Sequence, residues 1–148
     1  MPSVATIGVY GFTADAFLDT LKRAGVRGPD YAWANSQRLQ RALAEAGIEY
    51  RHHKELAPTT ELRRLQYAED DRLGVGKRSR TALAPAYVER YTREILDRAD
   101  LEAVVAELPG DGAGALLCVE RDPEACHRSL VAQRLAERHG VEVVHLRP

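Results

Sequence analysis

Short apolar runs alternate with amphipathic stretches along this chain. Val4–Tyr10 and Ala115–Val119 are apolar runs of strand length, which predicts two buried strands. Between such runs, apolar residues recur three and four positions apart, as in Phe17, Leu21 and Ala24, which predicts helices. Strands that alternate with helices indicate an α/β sandwich with a mostly parallel sheet that helices flank.

Two more runs complete a predicted sheet of about four strands. Ile48–His53 alternates apolar and polar residues, as a strand with one wetter face does, and Val141–Leu146 is the last apolar run. The segment around Gly28 and Pro29 has no periodicity, so it is predicted to be a loop. Because no repeat and no low-complexity linker divides the chain, residues 1–148 are expected to form one domain.

The composition is that of a globular protein of the cytoplasm. Apolar residues make up 45% of the chain, charged residues 29%, and the formal net charge is −1 at pH 7. This balance argues against a surface devoted to nucleic acid or to anionic lipid. No apolar run has the length of a membrane span and no signal pattern opens the chain, so we expect a cytoplasmic protein without a membrane partner. The two cysteines are expected to be reduced thiols.

One segment near the carboxyl terminus combines a strand end with a helix start. The sequence LLCVERDPEACHRSLVA, residues 116–132, contains Asp122 followed by Pro123. This pair predicts a helix that begins there and runs to His139. Ligands of parallel sheets bind where the strands end and the helix N-termini point, so this segment is the predicted binding site.

Arg128 is predicted to point inward from this helix. It heads the stripe formed by Val131, Ala132 and Leu135, which lie three, four and seven positions further on. A buried arginine requires an anion, because an unpaired buried charge is costly. Two interpretations remain open. Arg128 binds the phosphate or carboxylate of a ligand, or it forms a structural ion pair with Glu120 or another carboxylate.

Glu120, Cys126 and His127 are the candidate catalytic residues. Glu120 is expected at the end of the strand, where it would serve as an acid or a base. Cys126 lies in the first turns of the predicted helix, where the helix dipole, His127 and Arg128 favour a thiolate. The alternative is a small core residue, because Cys126 falls roughly 160° around that helix from Arg128. Cys118, on the strand, is expected to be a core residue.

No metal site is predicted. The candidate ligands are Cys118, Cys126, His52, His53, His127 and His145. The two cysteines lie eight positions apart, whereas structural zinc sites pair cysteines with about two to four residues between them. His52 and His53 point to opposite faces of a strand, so at most one of them contributes to a site. His52 is kept as a candidate ligand-binding residue.

A basic segment with two glycines is a second candidate for ligand binding. GVGKRSR, residues 74–80, places Lys77 and Arg80 in a predicted exposed loop. The segment lacks the full spacing of a phosphate-binding loop, and no predicted strand precedes it. It is interpreted either as a solvated basic loop or as a contact for nucleic acid.

Together, these motifs resemble the bacterial and archaeal family known as domain of unknown function 488. The most distinctive part of the resemblance is residues 116–132, with Cys118, Glu120, Cys126, His127 and Arg128. It extends over nearly the whole chain, through Thr6-Ile7-Gly8, Ala46-Gly47-Ile48, Tyr50, His52, Leu56 and Val143–Leu146. The resemblance implies an α/β domain whose cysteine, His-Arg and acidic positions cluster at one edge of the sheet. It implies no particular reaction.

One departure from the family pattern concerns the segment after the first helix. Members usually continue there into a strand that ends in Asp-x-Arg, but here Gly25-Val26 leads directly into Arg27-Gly28-Pro29. We therefore expect this strand to be missing, with Asp30 as the nearest remaining acid. A missing strand would leave backbone groups of its neighbours unpaired, so the sheet would close differently or the chain would be a truncated copy.

Three functional hypotheses are consistent with these patterns. The first is an enzyme of hydrolase or transferase type that acts on a phosphorylated or nucleotide-like anion, with Arg128 binding the anion and Glu120 as acid or base. The second is a non-catalytic module that binds a nucleotide, nucleic acid or protein through the same edge and residues 77–80. The third is a degenerate family member retained only for its fold. The first is preferred, and the sequence indicates no particular cofactor or oligomeric state.

Overall fold

The computed structural model describes residues 3–9, 11–32, 37–76, 80–109, 113–118 and 122–148, with the backbone alone at residues 14, 27–32, 38 and 52. The strands are β1 Ser3–Gly8, β2 Val26–Ala32, β3 Tyr50–His52, β4 Ala113–Cys118 and β5 Glu142–Leu146. The helices are α1 Ala14–Arg23, α2 Gln37–Glu45, α3 Thr60–Leu73, α4 Pro85–Glu94, α5 Leu101–Ala106 and α6 Arg128–His139. Short 3₁₀ turns lie at Lys54–Leu56, Leu96–Arg98 and Pro123–Ala125.

The five described strands form one sheet in the order β3-β2-β4-β1-β5. Every neighbouring pair is parallel. Thr6 of β1 lies opposite Leu116 on one side and His145 on the other, and Gly8 lies opposite Cys118. The α/β fold with a parallel sheet, predicted from the alternation of strands and helices, is confirmed.

The prediction that the strand after the first helix is missing was wrong. Val26–Ala32 forms β2, which pairs with both β3 and β4. Val26 lies opposite Ala113 and Asp30 lies opposite Ala115, so four steps along β2 match two steps along β4. This irregularity contains Gly28 and Pro29, whose presence predicted a loop, and a bulge is a usual place for both residue types in a sheet. The letters Asp-x-Arg are absent from the strand, because Ala32 follows two positions after Asp30.

Helices cover both faces of the sheet, because the side chains of its central strands alternate between two apolar cores. Ile7 and Leu117 pack with Leu21 on the face covered by α1 and α2. Leu116 packs with Leu135 on the opposite face, which α3 to α6 cover. The even-numbered residues of β4 therefore face α6. None of the helices in the described part of the chain is both long and apolar enough to span a membrane.

The connections that leave β1 and β4 depart to opposite faces of the sheet. β1 continues into α1 on one face, and its neighbour β4 continues into α6 on the other. The N–H of Val9, just after β1, donates to the carbonyl oxygen of Cys118 at 2.9 Å, so the two strand ends stay together. In open α/β sheets, a crevice forms where neighbouring connections diverge in this way, and ligands bind there.

Candidate functional site

Helix α6 begins at Arg128 and not at Pro123 as the sequence predicted. Pro123–Ala125 forms a separate 3₁₀ turn, in which the side chain of Asp122 makes no capping hydrogen bond. Cys126 follows with an extended backbone, at φ −137° and ψ 145°. Its sulfur accepts the backbone N–H of Arg128 at 3.5 Å. The predicted separation of Cys126 and Arg128 around one helix was therefore wrong, because Cys126 lies in front of the helix.

Both cysteines and His127 meet at the end of β4. The sulfur of Cys126 lies 3.8 Å from Nδ1 of His127. One ligand atom from each of Cys118, Cys126 and His127 lies within 4.8 Å of the other two. All three residues are buried, and Cys126 is only 1% exposed. The predicted burial of Cys118 is confirmed, but its sulfur lies beside the polar side chains of Cys126 and His127.

The surroundings of Cys126 favour its thiolate form. Burial opposes ionisation and by itself raises the pKa of a thiol. Here the hydrogen bond from the Cys118 thiol, the charge and hydrogen bond of His127 and the charge of Arg128 outweigh burial, so the pKa of Cys126 lies well below its usual range. A stabilised thiolate is the nucleophilic form of cysteine.

Arg128 is fully buried at the first residue of α6. It shares the inner face of the helix with Val131, Ala132 and Leu135, all of them buried, which confirms the inward direction predicted from the spacing. Glu120, its predicted partner, lies outside the described residues. Whether Arg128 binds a ligand anion or forms a structural ion pair with Glu120 therefore stays open.

Polar side chains of β1 and β5 lie at the same edge of the sheet. Oγ1 of Thr6 and Nδ1 of His145 are 2.6 Å apart. Burial lowers the pKa of His145, and the nearby charges of Arg128 and Arg147 lower it further, which favours a neutral imidazole beside Arg128. The sequence indicates His145 only as a candidate metal ligand and Thr6 only as part of the family resemblance. Alternation along β1 places Thr6 on the face of the sheet that α6 covers, but nothing in the sequence pairs it with His145.

A family model described as Domain of unknown function DUF488 matches residues 13–135. The chain belongs to this family. The matched range includes Cys118, Cys126, His127 and Arg128, and it confirms the resemblance carried by the motifs. No curated protein and no solved structure matches the chain.

In this DUF488 protein, Tyr91 of α4 lies against His127. The centroids of the two rings are 5.5 Å apart, and the Tyr91 hydroxyl donates to the carbonyl oxygen of Leu56 at 2.6 Å. Burial, together with nearby Tyr87, Cys126 and Cys118, raises the pKa of Tyr91 well above its usual value, so the phenol stays neutral. The contact of Tyr91 with His127 joins α4 to the start of α6 and arises only in the folded chain.

The 3₁₀ turn before Cys126 is held from two sides. Arg80 donates from Nε and Nη2 to the carboxylate of Asp70, at 3.0 and 2.7 Å, and from Nη1 to the carbonyl oxygen of Ala125 at 3.2 Å. On the outer side, Arg147 contacts Glu124 at 2.6 Å. The prediction that Arg80 lies in an exposed loop was wrong, because its side chain is buried and paired with Asp70. Its guanidinium positions the turn.

The remaining predicted site residues lie outside the described side chains or away from Cys126. Lys77 lies outside the described residues, and only the backbone of His52 is described, at the end of β3. Both stay predictions. His53 contacts carboxylates of Glu55 and Glu107, at 2.5 and 3.3 Å, on a different part of the surface.

Cys118, Cys126 and His127 also form a set of soft donor atoms. Thiolate sulfur and imidazole nitrogen suit zinc or copper(I). Within the described part of the chain, these three form the group whose geometry could hold a metal ion. Structural zinc sites use about four ligands, one more than this set. The spacing of the two cysteines in the sequence predicts no metal site, whereas the fold brings them and His127 close together. The absence of a metal therefore stays a prediction.

Proposed function

We propose that this DUF488 protein is a thiol-dependent enzyme that acts on a small anionic group at the carboxyl-terminal edge of its sheet. Cys126 is the nucleophile, and the side chain of Arg128, at the start of α6, binds the anion. The reaction is a group transfer of hydrolase or transferase type. The observation that carries this proposal is the set of contacts around the Cys126 sulfur, which come from Cys118, His127 and the N–H of Arg128.

These contacts distinguish Cys126 from an ordinary core cysteine. A core cysteine is a neutral, small apolar group, and burial keeps it neutral because a buried charge is costly. Around Cys126, one thiol donor, one imidazole and one guanidinium favour the charged form instead. Polar groups gathered around one buried sulfur support a chemical role for it.

The surrounding charges favour an anionic substrate. Arg128 is a buried guanidinium, whose planar fork suits phosphate and carboxylate oxygens. The dipole of α6 also favours negative charge at this edge, while the N–H groups of its first turn already donate to Cys126 and His127. A crevice is expected between the ends of β1 and β4, because the connections of these strands diverge to opposite faces of the sheet. Because Cys126 is almost completely buried, the reacting group must be small, such as a terminal phosphoryl group.

The proposed step forms one bond to sulfur and breaks one bond to a leaving oxygen. The Cys126 thiolate attacks the phosphorus of a terminal phosphoryl group, the bond from phosphorus to the leaving oxygen breaks, and that oxygen takes up a proton from His127, the imidazole beside Cys126. Water or an acceptor hydroxyl then attacks the sulfur-bound intermediate and restores the thiolate. Glu120, predicted as an acid or base at the strand end, is assigned to activating that attacking group.

The proposal also assigns the protein to the cytoplasm. A reducing compartment protects a reactive thiolate from oxidation, and neither cysteine is in a disulfide in this structure. The alternative of a module that binds nucleic acid through residues 77–80 receives less support, because Arg80 is paired with Asp70. A small anionic ligand therefore remains the proposed partner.

Protection of Cys126 by inorganic phosphate tests the proposal. The folded protein is treated with iodoacetamide at increasing phosphate concentration, and alkylation of Cys126 is followed by mass spectrometry. We expect phosphate to slow the alkylation saturably, with sodium chloride of the same ionic strength having little effect. Alkylation that responds equally to both salts would contradict anion binding at this site.

Two arginines of α6 offer a matched pair of variants. Arg128→Lys keeps the charge but removes the planar fork, so we expect it to lose most of the protection. Arg134→Lys changes a residue of the same helix that pairs with Asp97 at 2.9 Å, away from Cys126, and should retain full protection. Equal loss in both variants would show that the effect is a general change in α6.

A further inference from the structure

The chain has two cysteines, and the fold brings their sulfurs together. Cys118 ends β4 and Cys126 precedes α6, no disulfide joins them, and their sulfurs lie within 4.8 Å of each other. The two residues come from different elements, so their contact is a product of tertiary structure. We propose that Cys118 and Cys126 form a reversible intramolecular disulfide when a small hydroperoxide oxidises them, which gives this site a dithiol redox activity.

The backbone around the two residues allows this bond to close. A disulfide requires a sulfur–sulfur distance of about 2.05 Å. Cys118 is held in β4, which pairs with β1 and β2 on its two sides. Cys126 is the extended link between a 3₁₀ turn and α6 and belongs to no strand. Closure therefore requires side-chain rotation and a small shift at Cys126, while the sheet keeps its register.

The proposed reaction balances with a hydroperoxide as the oxidant. The Cys126 sulfur attacks the terminal peroxide oxygen, so a sulfur–oxygen bond forms, the oxygen–oxygen bond breaks and an alcohol, or water from hydrogen peroxide, leaves. The Cys118 sulfur then attacks the resulting sulfenic acid, the disulfide forms and water leaves. The two thiols lose two electrons and the peroxide gains them. An external dithiol restores both thiols by exchange.

Burial restricts the oxidant to a small molecule. Cys118 is 4% exposed and Cys126 is 1% exposed. A bulky disulfide oxidant would have to bring one of its own sulfurs into line with a buried sulfur, which the packing around them opposes. Hydrogen peroxide is close to water in size, so it requires the least movement of the packing to reach the two sulfurs and is the oxidant used in the test.

Oxidation would switch off the proposed nucleophile. A disulfide removes the negative charge that His127 and Arg128 stabilise, and it turns the Cys126 sulfur away from the N–H of Arg128. This consequence rests on the proposed function, whereas formation of the disulfide does not. The redox state of one pair of residues would then control the enzyme.

Intact-mass measurement of the oxidised protein tests the proposal. The folded full-length chain is treated with hydrogen peroxide, excess oxidant is removed, and the chain is unfolded in iodoacetamide with a metal chelator present. We expect the number of alkylated cysteines to fall from two to none and the mass to fall by two hydrogens. Dithiothreitol should restore both alkylation sites.

Single variants assign the order of the two steps. In Cys118→Ser the resolving sulfur is absent, so we expect dimedone to trap a sulfenic acid on Cys126. In Cys126→Ser we expect Cys118 to stay reduced at the same peroxide dose. Three results would each overturn the proposal. The first is a disulfide-linked dimer, and the second is a protein whose two cysteines stay alkylatable after peroxide. The third is stoichiometric bound zinc that protects both thiols until chelator is added.

The two proposals fail in different ways. If the disulfide does not form but phosphate still protects Cys126 from alkylation, the redox activity is wrong and the proposed function stands. If the disulfide forms but phosphate has no effect beyond ionic strength, the redox pair stands and anion binding is wrong.

Discussion

The backbone N–H of Arg128 donates to the sulfur of Cys126 across 3.5 Å. This contact joins the proposed nucleophile to the first residue of α6, whose side chain carries the buried positive charge of the site. The first N–H groups of a helix have no acceptor within the helix, and the Cys126 sulfur accepts the first of those of α6. The start of α6 therefore holds this sulfur beside the Arg128 charge that favours its thiolate form.

The hydrogen bond from the Arg128 N–H to the Cys126 sulfur predicts a difference between two variants of Cys126. Cys126→Ala removes the acceptor, and loss of one such hydrogen bond costs about 1 kcal/mol. Cys126→Ser keeps an acceptor oxygen, so we expect it to lose less stability than Cys126→Ala. Urea unfolding measures the free energy of unfolding of both variants. Equal stability of the two would contradict a stabilising role for this hydrogen bond.

Thr13 provides a matched control for this comparison. Its Oγ1 accepts the N–H of Ala16 at 3.1 Å at the start of α1, far from the cysteines. Thr13→Ala should also cost about 1 kcal/mol. Unlike the variants of Cys126, it should leave the alkylation rate of Cys126 unchanged.

Replacing Asp70 with asparagine should destabilise the protein strongly and change its response to acid. Asp70 lies in a buried pair with Arg80 and also accepts from Gln66 at 3.0 Å. Although burial raises it, the pKa of Asp70 is lowered overall by hydrogen bonds from Arg80 and Gln66 and by the charge of Arg80. Asp70→Asn leaves the Arg80 charge uncompensated, and loss of one partner of a buried pair costs about 3–5 kcal/mol.

The lowered pKa of Asp70 determines the direction in which the stability of the protein changes with pH. The unfolded chain binds a proton at Asp70 more readily than the folded chain does, so the stabilisation is complete above about pH 5 and falls as the pH drops below about 4. Urea unfolding from pH 7 to pH 3 should show a smaller acid-induced loss in Asp70→Asn than in wild type. Glu69→Gln removes the half-buried carboxylate that pairs with the exposed Arg72, whose hydrogen bond lowers the pKa of Glu69; because solvent screens this pair, the variant should change the profile much less than Asp70→Asn does. Parallel profiles for wild type and Asp70→Asn would count against the buried pair.

His145 should titrate below the ordinary range of histidine. Burial is the main cause of its lowered pKa, and the charges of Arg128 and Arg147 add to it. A histidine with a lowered folded pKa contributes no pH dependence above about pH 6.5, and stability falls as the pH drops below that value, because only the unfolded chain takes up the proton readily. Nuclear magnetic resonance of the ring protons measures the folded pKa directly. A value at or above that of a free histidine would place Arg128 away from β5.

The strands of this fold differ in how well the sequence predicts them. β1 and β4 follow from continuous apolar runs, because both faces of these central strands are buried. β2 carries Gly28 and Pro29, which locally favour a loop, and it becomes a strand because β3 and β4 lie on either side and supply its pairing. Tertiary pairing overrides local propensity there.

The sequence predicts the direction of one side chain at the candidate site but not the geometry around Cys126. Helical spacing correctly predicted that Arg128 points inward, because α6 is regular from that residue onward. The pair Asp122-Pro123 signals a helix start, yet it opens a 3₁₀ turn, and the extended residue Cys126 follows. The meeting of Cys118 with Cys126 depends on that turn. Arg80 pairs with Asp70 because α3 packs against the segment that carries Arg80. The positive charges of residues 74–80 alone do not predict this pairing.

The central claim is that the folded chain holds Cys126 as a reactive thiolate, and the pH dependence of its alkylation tests this most directly. The Cys118→Ser variant, which removes the second thiol and keeps a hydroxyl donor, is alkylated with iodoacetamide over a range of pH while it remains folded. We expect Cys126 to react with an apparent pKa well below the value of about 8.5 for a free thiol. A thiol that stays inert until the protein unfolds, or that titrates at or above that value, would contradict the claim and make Cys126 a core residue.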